Sequence, residues 1–380
     1  MRLLIYAANL HVGGGVQVAA SVISELALGP HDVRDVTVWA STTVDANLSG
    51  LGFDPARFAD YEVIDHVGAR ARWSPERKRM RGFDAVFVIF GPHYLGRLQA
   101  CTVMGFAQPW IIYPRSEAYA LQAPVRRFLT RAKFFVQSQL FKRADRLVVE
   151  LDHVKNALVK RGIAHADCIE VVNNCVASLY LEPQKWQPVD LPPRRARMRL
   201  GFVGRNYLHK NTRVFPALLE LLRTRHGMDV ELLVTFTPEE WAACDHKFRA
   251  AVVNVGVLPM AQCPAFYHNV DAVVFPSLLE CFSATPLEAM VMQKPLFASD
   301  RGFVRDVCGD FADYFNPMSP PDMARVIADA LKRPVDANRL QLARAHALEF
   351  SRADARALRY LTILRDAPQQ RFNDRSLRNV

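Results

Sequence analysis

The sequence has 380 residues, of which 50% are hydrophobic and 23% are charged. This balance is typical of a globular chain with a sizeable core and excludes a disordered or fibrous protein. At roughly 150 residues per domain, the length favours two domains. Lysine and arginine outnumber aspartate and glutamate by 48 to 38, which indicates an anionic partner such as a nucleotide, a nucleic acid or a phospholipid surface.

The cysteines and the apolar runs restrict the cellular setting. The 7 cysteines form neither a C-x-x-C pair nor a zinc-binding spacing, and we expect reduced thiols in a cytoplasmic protein. The opening segment MRLLIYAANL leads into glycines rather than a longer apolar run and a cleavage site, so it is predicted as a first strand, not a signal peptide. No run approaches ~20 apolar residues, so any membrane contact is expected to be peripheral.

The amino-terminal half alternates short β-branched or aromatic runs with amphipathic segments. This alternation is typical of a parallel sheet covered by helices. A longer helix is predicted over about 124–144, and the predicted strands are RLLIYA, DVTVWAS, YEVIDH, AVFVIF, CTVMGFA, DRLVVEL and CIEVVNN. We assign this Rossmann-like series to a first domain, residues 1–185.

A proline- and arginine-rich stretch without apolar periodicity follows, and it is predicted as a linker over 186–198. A second alternating series, from LGFVG to PLFASD, repeats the pattern of the first. Within it, Thr237 followed by Glu240 predicts a helix that begins with a capping box. The second Rossmann-like domain is assigned to 199–350, and the two domains are expected to face each other across a cleft.

The most informative segment is PSLLECFSATPLEAM, residues 276–290, which follows the predicted strand DAVVF and turns into a helix. Ligands of open α/β sheets lie beyond the carboxyl ends of the strands, and the amides at a helix start favour a phosphate. Glu280 and Glu288 would lie about 12 Å apart if the helix ran through both. Each carboxylate could accept hydrogen bonds from vicinal hydroxyls. Taken alone, the two glutamates are better explained by local structure, with Glu288 a solvated helix residue and Glu280 an acid near a helix start.

This segment resembles the E-x7-E signature of retaining glycosyltransferases of family 4. The resemblance implies that Glu280 contacts the donor sugar, Glu288 contacts the ribose, and the phosphates are bound by the amides of Phe282, Ser283, Ala284 and Thr285. Family members commonly have glycines where this chain has Cys281 and Ser283. Glycine is not required at these positions if φ stays negative.

A second constellation is GFVGRNYLHKN, residues 201–211, a strand that runs into a loop. Arg205 and Lys210 in this loop could neutralise a diphosphate and stabilise the charge of a departing phosphate. Exposed basic residues are also common in a chain this basic. The loop is similar to that of family 4, which implies that Arg205 and Lys210 act in catalysis and that Gly204 contributes to donor binding.

The third constellation is the glycine loop HVGGGVQVAAS, residues 11–21. Glycine lets backbone approach a ligand closely. The loop is similar to the first loop of family 4, between donor phosphate and acceptor, and this resemblance implies Gly14 and Gly15 as donor-binding residues. The loop could otherwise be an ordinary turn. It is not a G-x-G-x-x-G fingerprint, and the sequence has no Walker motif.

His93 follows the predicted strand AVFVIF. It is a candidate acceptor-side base or hydrogen-bond donor, and the alternative is a polar surface residue. The family resemblance implies substitution on one face of the sugar, in which the departing phosphate helps to deprotonate the acceptor. Because the sequence has no D-x-D pair, we expect neither an essential metal nor a cofactor besides the nucleotide-sugar substrate.

Two basic segments lie in the amino-terminal half, at 68–83 around Trp73 and at 124–144. The second has apolar residues at core spacing, which predicts an ordinary amphipathic helix with a solvated basic face. These apolar residues are Val125, Phe128, Leu129, Ala132 and Val136. The alternative is that basic and aromatic groups bind the first domain to an anionic membrane.

The resemblance implies the GT-B fold of two Rossmann-like domains, with acceptor binding in the first and nucleotide-sugar binding in the second. It also implies that 351–380 forms a helix that crosses back to the first domain and a polar tail. The expected function is sugar transfer to a lipid-linked or polysaccharide acceptor, in the cytoplasm or on the inner face of a membrane. The alternatives are a sugar-nucleotide epimerase and a non-catalytic binder of nucleotide sugars or polyanions. No nucleic-acid-binding module is recognised.

Overall fold

The computed structural model describes residues 1–96 and 98–378, without the side chains of 372–378. It divides into two compact units. The first unit contains 1–114, 123–174 and the residues from Ser351 onward, and the second contains 115–122 and 175–350. Within the described ranges, no helix is long and apolar enough to cross a membrane.

The first unit is built on a parallel sheet in the order β3-β2-β1-β4-β5-β6-β7. Its strands are β1 (Leu3–Ala7), β2 (Val36–Ala40), β3 (Asp60–Val63), β4 (Ala85–Val88), β5 (Cys101–Gly105), β6 (Arg146–Val149) and β7 (Ile169–Val171). Most of the strands are buried along their whole length, which explains why they are near-continuous apolar runs. The direction of strand succession reverses between β1 and β4.

The second unit has its own parallel sheet in the order β10-β9-β8-β11-β12-β13. Its strands are β8 (Met198–Phe202), β9 (Val230–Val234), β10 (Val253–Asn254), β11 (Ala272–Phe275), β12 (Leu296–Ser299) and β13 (Asp313–Phe315). Strand succession reverses between β8 and β11. Two separate parallel α/β sheets confirm the fold class expected from the alternating pattern.

Most helices lie in the connections between strands, and the last three follow the last strand. In chain order they are α1 (Gly14–Leu28), α2 (Thr42–Ser49), α3 (Glu76–Arg79), α4 (Pro109–Ile112), α5 (Glu117–Ala120), α6 (Pro124–Phe141), α7 (Asp152–Lys160), α8 (Phe215–His226), α9 (Pro238–Ala242), α10 (His246–Ala251), α11 (Cys263–Asn269), α12 (Ala284–Val291), α13 (Gly302–Cys308), α14 (Pro320–Leu331), α15 (Ala337–Glu349) and α16 (Ala353–Arg378). The predicted capping box of α9 is present, since the side chains and amides of Thr237 and Glu240 bond reciprocally.

The carboxyl-terminal helix α16 belongs to the first unit, where it packs on α1, β4 and β5. The ring of Tyr360 lies 4.9 Å from that of Phe87. Arg356 is buried at 2% exposure, donates to Ser21 Oγ at 2.8 Å and also bonds Asn174. Of the expected polar tail, residues 369–380, the side chains from 372 onward lie outside the described residues, and Arg371 pairs with Asp145 at 3.0 Å.

The structure places the domain boundary earlier than the predicted one at 185. Tyr180 is buried with its ring 6.1 Å from Tyr267 of α11, which ties the segment after 174 to the second unit. The predicted linker 186–198 is also part of this unit, because Gln187 N donates to Ala261 O at 2.9 Å and Arg194 pairs with Asp271 at 2.9 Å. Proline and arginine content alone did not reveal these anchors.

Helix α6 does not bury the residues that its spacing assigned to a core. Val125 is 73% exposed, Phe128 70%, Leu129 59% and Val136 56%. The prediction of an apolar face packed on the first unit is therefore wrong. The buried face carries Gln137, Ser138 and Phe141 instead.

Candidate active site

The candidate site of the second unit lies where strand succession reverses. The loops after β8 and β11 leave neighbouring parallel strands at the same sheet edge. This switch point is where ligands bind in open α/β sheets. Leu278 N donates to His209 O at 2.7 Å and thus ties the two loops together.

The loop after β8 begins at Gly204, which has a φ of +154°. Its amide donates to Thr235 Oγ1 at 3.0 Å, so this N–H is already bonded within the protein. The next residue, Arg205, pairs with Glu240 through its Nε at 2.9 Å. The capping box holds Glu240 at the start of α9, so the position of Arg205 is set by two neighbouring strand-to-helix loops.

Lys210 and Glu280 form the central ion pair of the site. Lys210 Nζ lies 2.7 Å from Glu280 Oε1, and both side chains are largely buried. Lys210 Nζ also lies over the ring of Phe275 at 5.3 Å from the centroid. After Lys210 the chain turns at Asn211, which has a φ of 55° and donates from Nδ2 to Pro317 O at 2.7 Å. The structure thus brings together two residues that the sequence placed on separate loops.

His209 is a site residue that sequence reasoning missed. Its Nε2 lies 3.9 Å from Glu280 Oε1, and its side chain is 14% exposed. Burial is the main cause that lowers the pKa of His209 to about 4, with a smaller contribution from the charge of Lys210. Glu280 acts in the opposite direction. The imidazole is therefore neutral at ordinary pH.

The loop after β11 ends in helix α12, whose first residue is Ala284. The helix start falls where the sequence predicted it. Ser283 has a φ of −138°, and Cys281 is not among the residues of positive φ, so neither position needs glycine. The backbone amides of 282–285 donate no hydrogen bond to another described residue. Together with the helix dipole, these amides form a site that favours an anion.

Glu288 lies inside α12 and is buried at 8% exposure. Its Oε2 accepts a hydrogen bond from the Tyr267 hydroxyl at 2.7 Å. Burial raises the pKa of Glu288, and the hydrogen bonds from Tyr267 and Tyr180 oppose this shift. The interpretation of Glu288 as a solvated helix residue is thus wrong. The two tyrosines, which the sequence did not single out, fix the orientation of its carboxylate.

The glycine loop of the first unit follows β1, at the reversal between β1 and β4. Asn9 Nδ2 donates to Phe90 O at 2.8 Å and joins the ends of these two strands. Gly13 has a φ of 79° and caps α1, so it is the glycine that the backbone requires. A Cβ on Gly14 would meet nothing within 4 Å, and one on Gly15 would be in ordinary contact with Leu10.

His93 is buried at 5% exposure, so it is not a polar surface residue. Its side chain lines a cavity of about 690 Å³ in the first unit, together with Thr102, Lys142 and Asp145. Its Nδ1 has no hydrogen-bond partner among the described residues. Burial and the charge of Arg143 lower the pKa of His93 to about 4. This neutral histidine is a weak base, and its role in catalysis stays a prediction.

A comparison with known protein families gives a match in the second unit. Residues 197–333 match the family model described as glycosyl transferases group 1. A comparison with curated proteins finds no match. The family match therefore lies within the second unit, which also contains the ion pair and the free amides.

Several solved structures resemble the chain over nearly its whole length. A glycosyltransferase from Rickettsia africae is 14% identical with a TM-score of 0.67, and the match covers 96% of this chain and 98% of that one. HepE from Anabaena, solved with UDP-glucose, is 14% identical with a TM-score of 0.69 over 96% and 100%. WaaG, a glycosyltransferase involved in lipopolysaccharide biosynthesis, is 15% identical with a TM-score of 0.64 over 91% and 95%. The chain has their GT-B fold.

Proposed function

We propose that this protein, which has the GT-B fold and a glycosyl transferases group 1 domain, transfers a sugar from a nucleotide-diphosphate donor to a glycan acceptor with anomeric retention. The observation that carries the proposal is the combination of Lys210, Glu280 and the free amides of 282–285 at the switch point of the second unit. A cation, a carboxylate and an anion site together match the polar groups of a nucleotide-diphosphate sugar.

The donor would lie along the start of α12. Its diphosphate would bind the amides of 282–285 and the side chains of Arg205 and Lys210, with Gly204 shaping the loop. Glu280 would accept hydrogen bonds from the sugar hydroxyls, and Glu288 from the ribose. HepE, a protein of the same fold, was solved with UDP-glucose, which supports a nucleotide sugar as the donor class.

In the proposed reaction, the bond between the anomeric carbon and the diphosphate oxygen breaks. The acceptor oxygen forms its bond to the same face of the sugar, and the acceptor proton passes to the departing phosphate oxygen. The protein contributes fixed positive charge, since Arg205 and Lys210 stabilise the negative charge that grows on the leaving group. We further propose that no metal is needed, because two cations and four amides would neutralise the diphosphate in this arrangement.

The acceptor is proposed to be a lipid-linked glycan or a growing polysaccharide. The first unit would bind it beside the glycine loop, where Gly14 leaves open space next to the backbone. WaaG acts in lipopolysaccharide biosynthesis, which supports an acceptor of this class. His93 is retained as a candidate acceptor-side residue.

A thermal-shift screen with UDP, GDP, ADP and their sugars tests the donor site. A nucleotide present at 100 times its dissociation constant should stabilise the protein by about 2.7 kcal/mol. Lys210→Ala should abolish most of this effect. The control is Arg325→Ala, which breaks an exposed pair with Asp322 in the same unit and should leave the shift unchanged.

Transfer itself is tested with donor labelled in the sugar. Label that moves to an acceptor glycan supports the proposal. Label that stays on the nucleotide while the sugar changes configuration would identify an epimerase. A thermal shift without either reaction, across a panel of acceptors, would identify a non-catalytic nucleotide-sugar binder.

A further inference from the structure

Helix α6 has an apolar face that points away from the protein. Helix geometry places successive residues 100° apart. On this wheel, six apolar residues fall within about 120° of one another. They are Val125, Phe128, Leu129, Ala132, Phe135 and Val136, and all six are exposed, with Phe135 at 67%.

The opposite face of α6 packs on the first unit. The ring of Phe134 stacks on Trp110 of α4 at 5.8 Å, and the ring of Phe141 lies 4.7 Å from Phe106. Gln137 Nε2 donates to the Tyr94 hydroxyl at 2.8 Å. These contacts fix which face is buried. The apolar stripe is therefore outward because of specific packing, not because the helix is loosely attached.

The charged residues of the same helix are all basic. The sequence PVRRFLTRAKFFVQSQLF contains no aspartate or glutamate. Arg126 and Lys133 are both exposed. On a helical wheel in which the apolar stripe spans about 80° to 200°, these two residues lie at about 240° to 260°, so they flank one side of the stripe. A helix with an exposed apolar stripe and flanking cations is suited to lie in a membrane interface.

A second exposed group of the same kind lies in the first unit. Trp73 is 78% exposed and follows Arg70 and Arg72 in a basic turn. The loop at 93–96 contacts α6 through Tyr94, and a Cβ on Gly96 would lie 3.4 Å from the guanidinium of Arg77, four residues after Trp73. Tryptophan is favoured at membrane interfaces.

We propose that the outward face of α6 docks the protein onto an anionic lipid bilayer. The apolar stripe would enter the boundary between headgroups and acyl chains, while Arg126 and Lys133 contact lipid phosphates. A second copy of the chain fits this face less well, since a symmetric contact through α6 would bring two cationic flanks together without an acid on either helix. The inference is independent of the proposed sugar transfer, because vesicle binding needs neither donor nor acceptor.

Cosedimentation of the full chain with vesicles tests the proposal. We expect binding to vesicles of phosphatidylcholine mixed with phosphatidylglycerol, weak binding to phosphatidylcholine alone, and a decline with salt. The double variant F128S/F135S should weaken binding at least about tenfold, since each exposed phenylalanine contributes apolar area. R126E/K133E should do the same through charge.

Matched controls lie in the second unit. V335S/L342S changes apolar side chains that are 70% and 51% exposed, and K247E/R249E reverses two exposed cations. Both controls should bind like the unchanged protein, and all four variants should keep its melting temperature. Equal binding of every variant, or no binding to anionic vesicles, overturns the proposal. A dimer in solution that F128S/F135S dissociates would assign the face to a second copy and overturn it as well.

Discussion

At the scale of single residues, the two members of the Lys210–Glu280 ion pair are proposed to have different functions, Glu280 in sugar binding and Lys210 in nucleotide binding. Glu280→Gln keeps the side-chain volume but removes the carboxylate that is proposed to read the sugar. We expect kcat to fall about 100-fold or more, while the Kd for the free nucleotide changes little. Lys210→Ala should instead weaken the binding of the nucleotide itself. Steady-state kinetics and calorimetry measure the two effects.

A result in which Glu280→Gln weakens nucleotide binding as strongly as Lys210→Ala would contradict these roles. It would mean that Glu280 acts only through the position of Lys210. Asp329→Asn, which removes an exposed carboxylate of the same unit, controls for a general change in charge.

We expect His209 to make the stability of the protein depend on pH. Its pKa is about 4 in the folded protein against an ordinary 6.5, so between these values the unfolded chain binds a proton that the folded chain does not. The contribution of the neutral imidazole to the free energy of unfolding is therefore fully present above pH 6.5. It is lost as the pH drops towards 4, and the loss is about 3 kcal/mol at most. Urea unfolding across this range should show a smaller loss for His209→Asn. An identical pH profile for both proteins would contradict the burial of a neutral imidazole.

At the scale of elements, the two glycines at the start of α1 should respond differently. Gly13 combines a φ of 79° with a ψ of −168°, a region that essentially only glycine adopts. Gly13→Ala should therefore lower the free energy of unfolding by about 1–3 kcal/mol. Gly14→Ala meets open space and should not destabilise. Chemical denaturation measures both, and a loss of activity in Gly14→Ala at unchanged stability would support a close ligand at this amide.

How well the sequence predicted an element depended on what determines that element. The capping box of α9 and the start of α12 were predicted correctly because local side chains determine them. The apolar spacing of α6 correctly predicted a helix but assigned the wrong face to the core. The period of a helix reveals an apolar stripe, whereas only the tertiary contacts of Phe134 and Phe141 decide which way it points.

For the candidate site as well, some residues could be selected from the sequence and others could not. Lys210 and Glu280 were selected from the sequence through the family resemblance, and the structure pairs them because the loops after β8 and β11 leave neighbouring strands. Their catalytic roles stay predictions. Tyr267 and Glu240 were not assigned to the site, because they reach it from α11 and α9 through contacts that have no spacing signal. The sequence predicts Glu240 only as a capping residue.

At the scale of the whole molecule, α16 joins the end of the chain to the first unit. Arg356 is buried and holds Ser21 of α1 and Asn174. Arg356→Ala removes both of these buried hydrogen bonds and leaves the acceptor atoms of Ser21 and Asn174 without this donor. We therefore expect the free energy of unfolding to fall by about 3 kcal/mol. The control Arg352→Ala removes an exposed pair with Asp354 and should cost less than about 1 kcal/mol. Equal losses would show that the buried network contributes nothing specific.

The last prediction concerns the stereochemistry of the product of the proposed reaction. Departure of the diphosphate and attack by the acceptor on the same sugar face preserve the anomeric configuration, whereas attack from the opposite face inverts it. We expect NMR of the product to show the donor's configuration. Since Arg205, Lys210 and the amides of 282–285 are proposed to supply the charge that a bridging cation would otherwise supply, the rate should also persist in EDTA. An inverted product would exclude the single-face reaction, and a rate abolished by EDTA and restored by Mg²⁺ would show that these groups do not suffice for the leaving diphosphate.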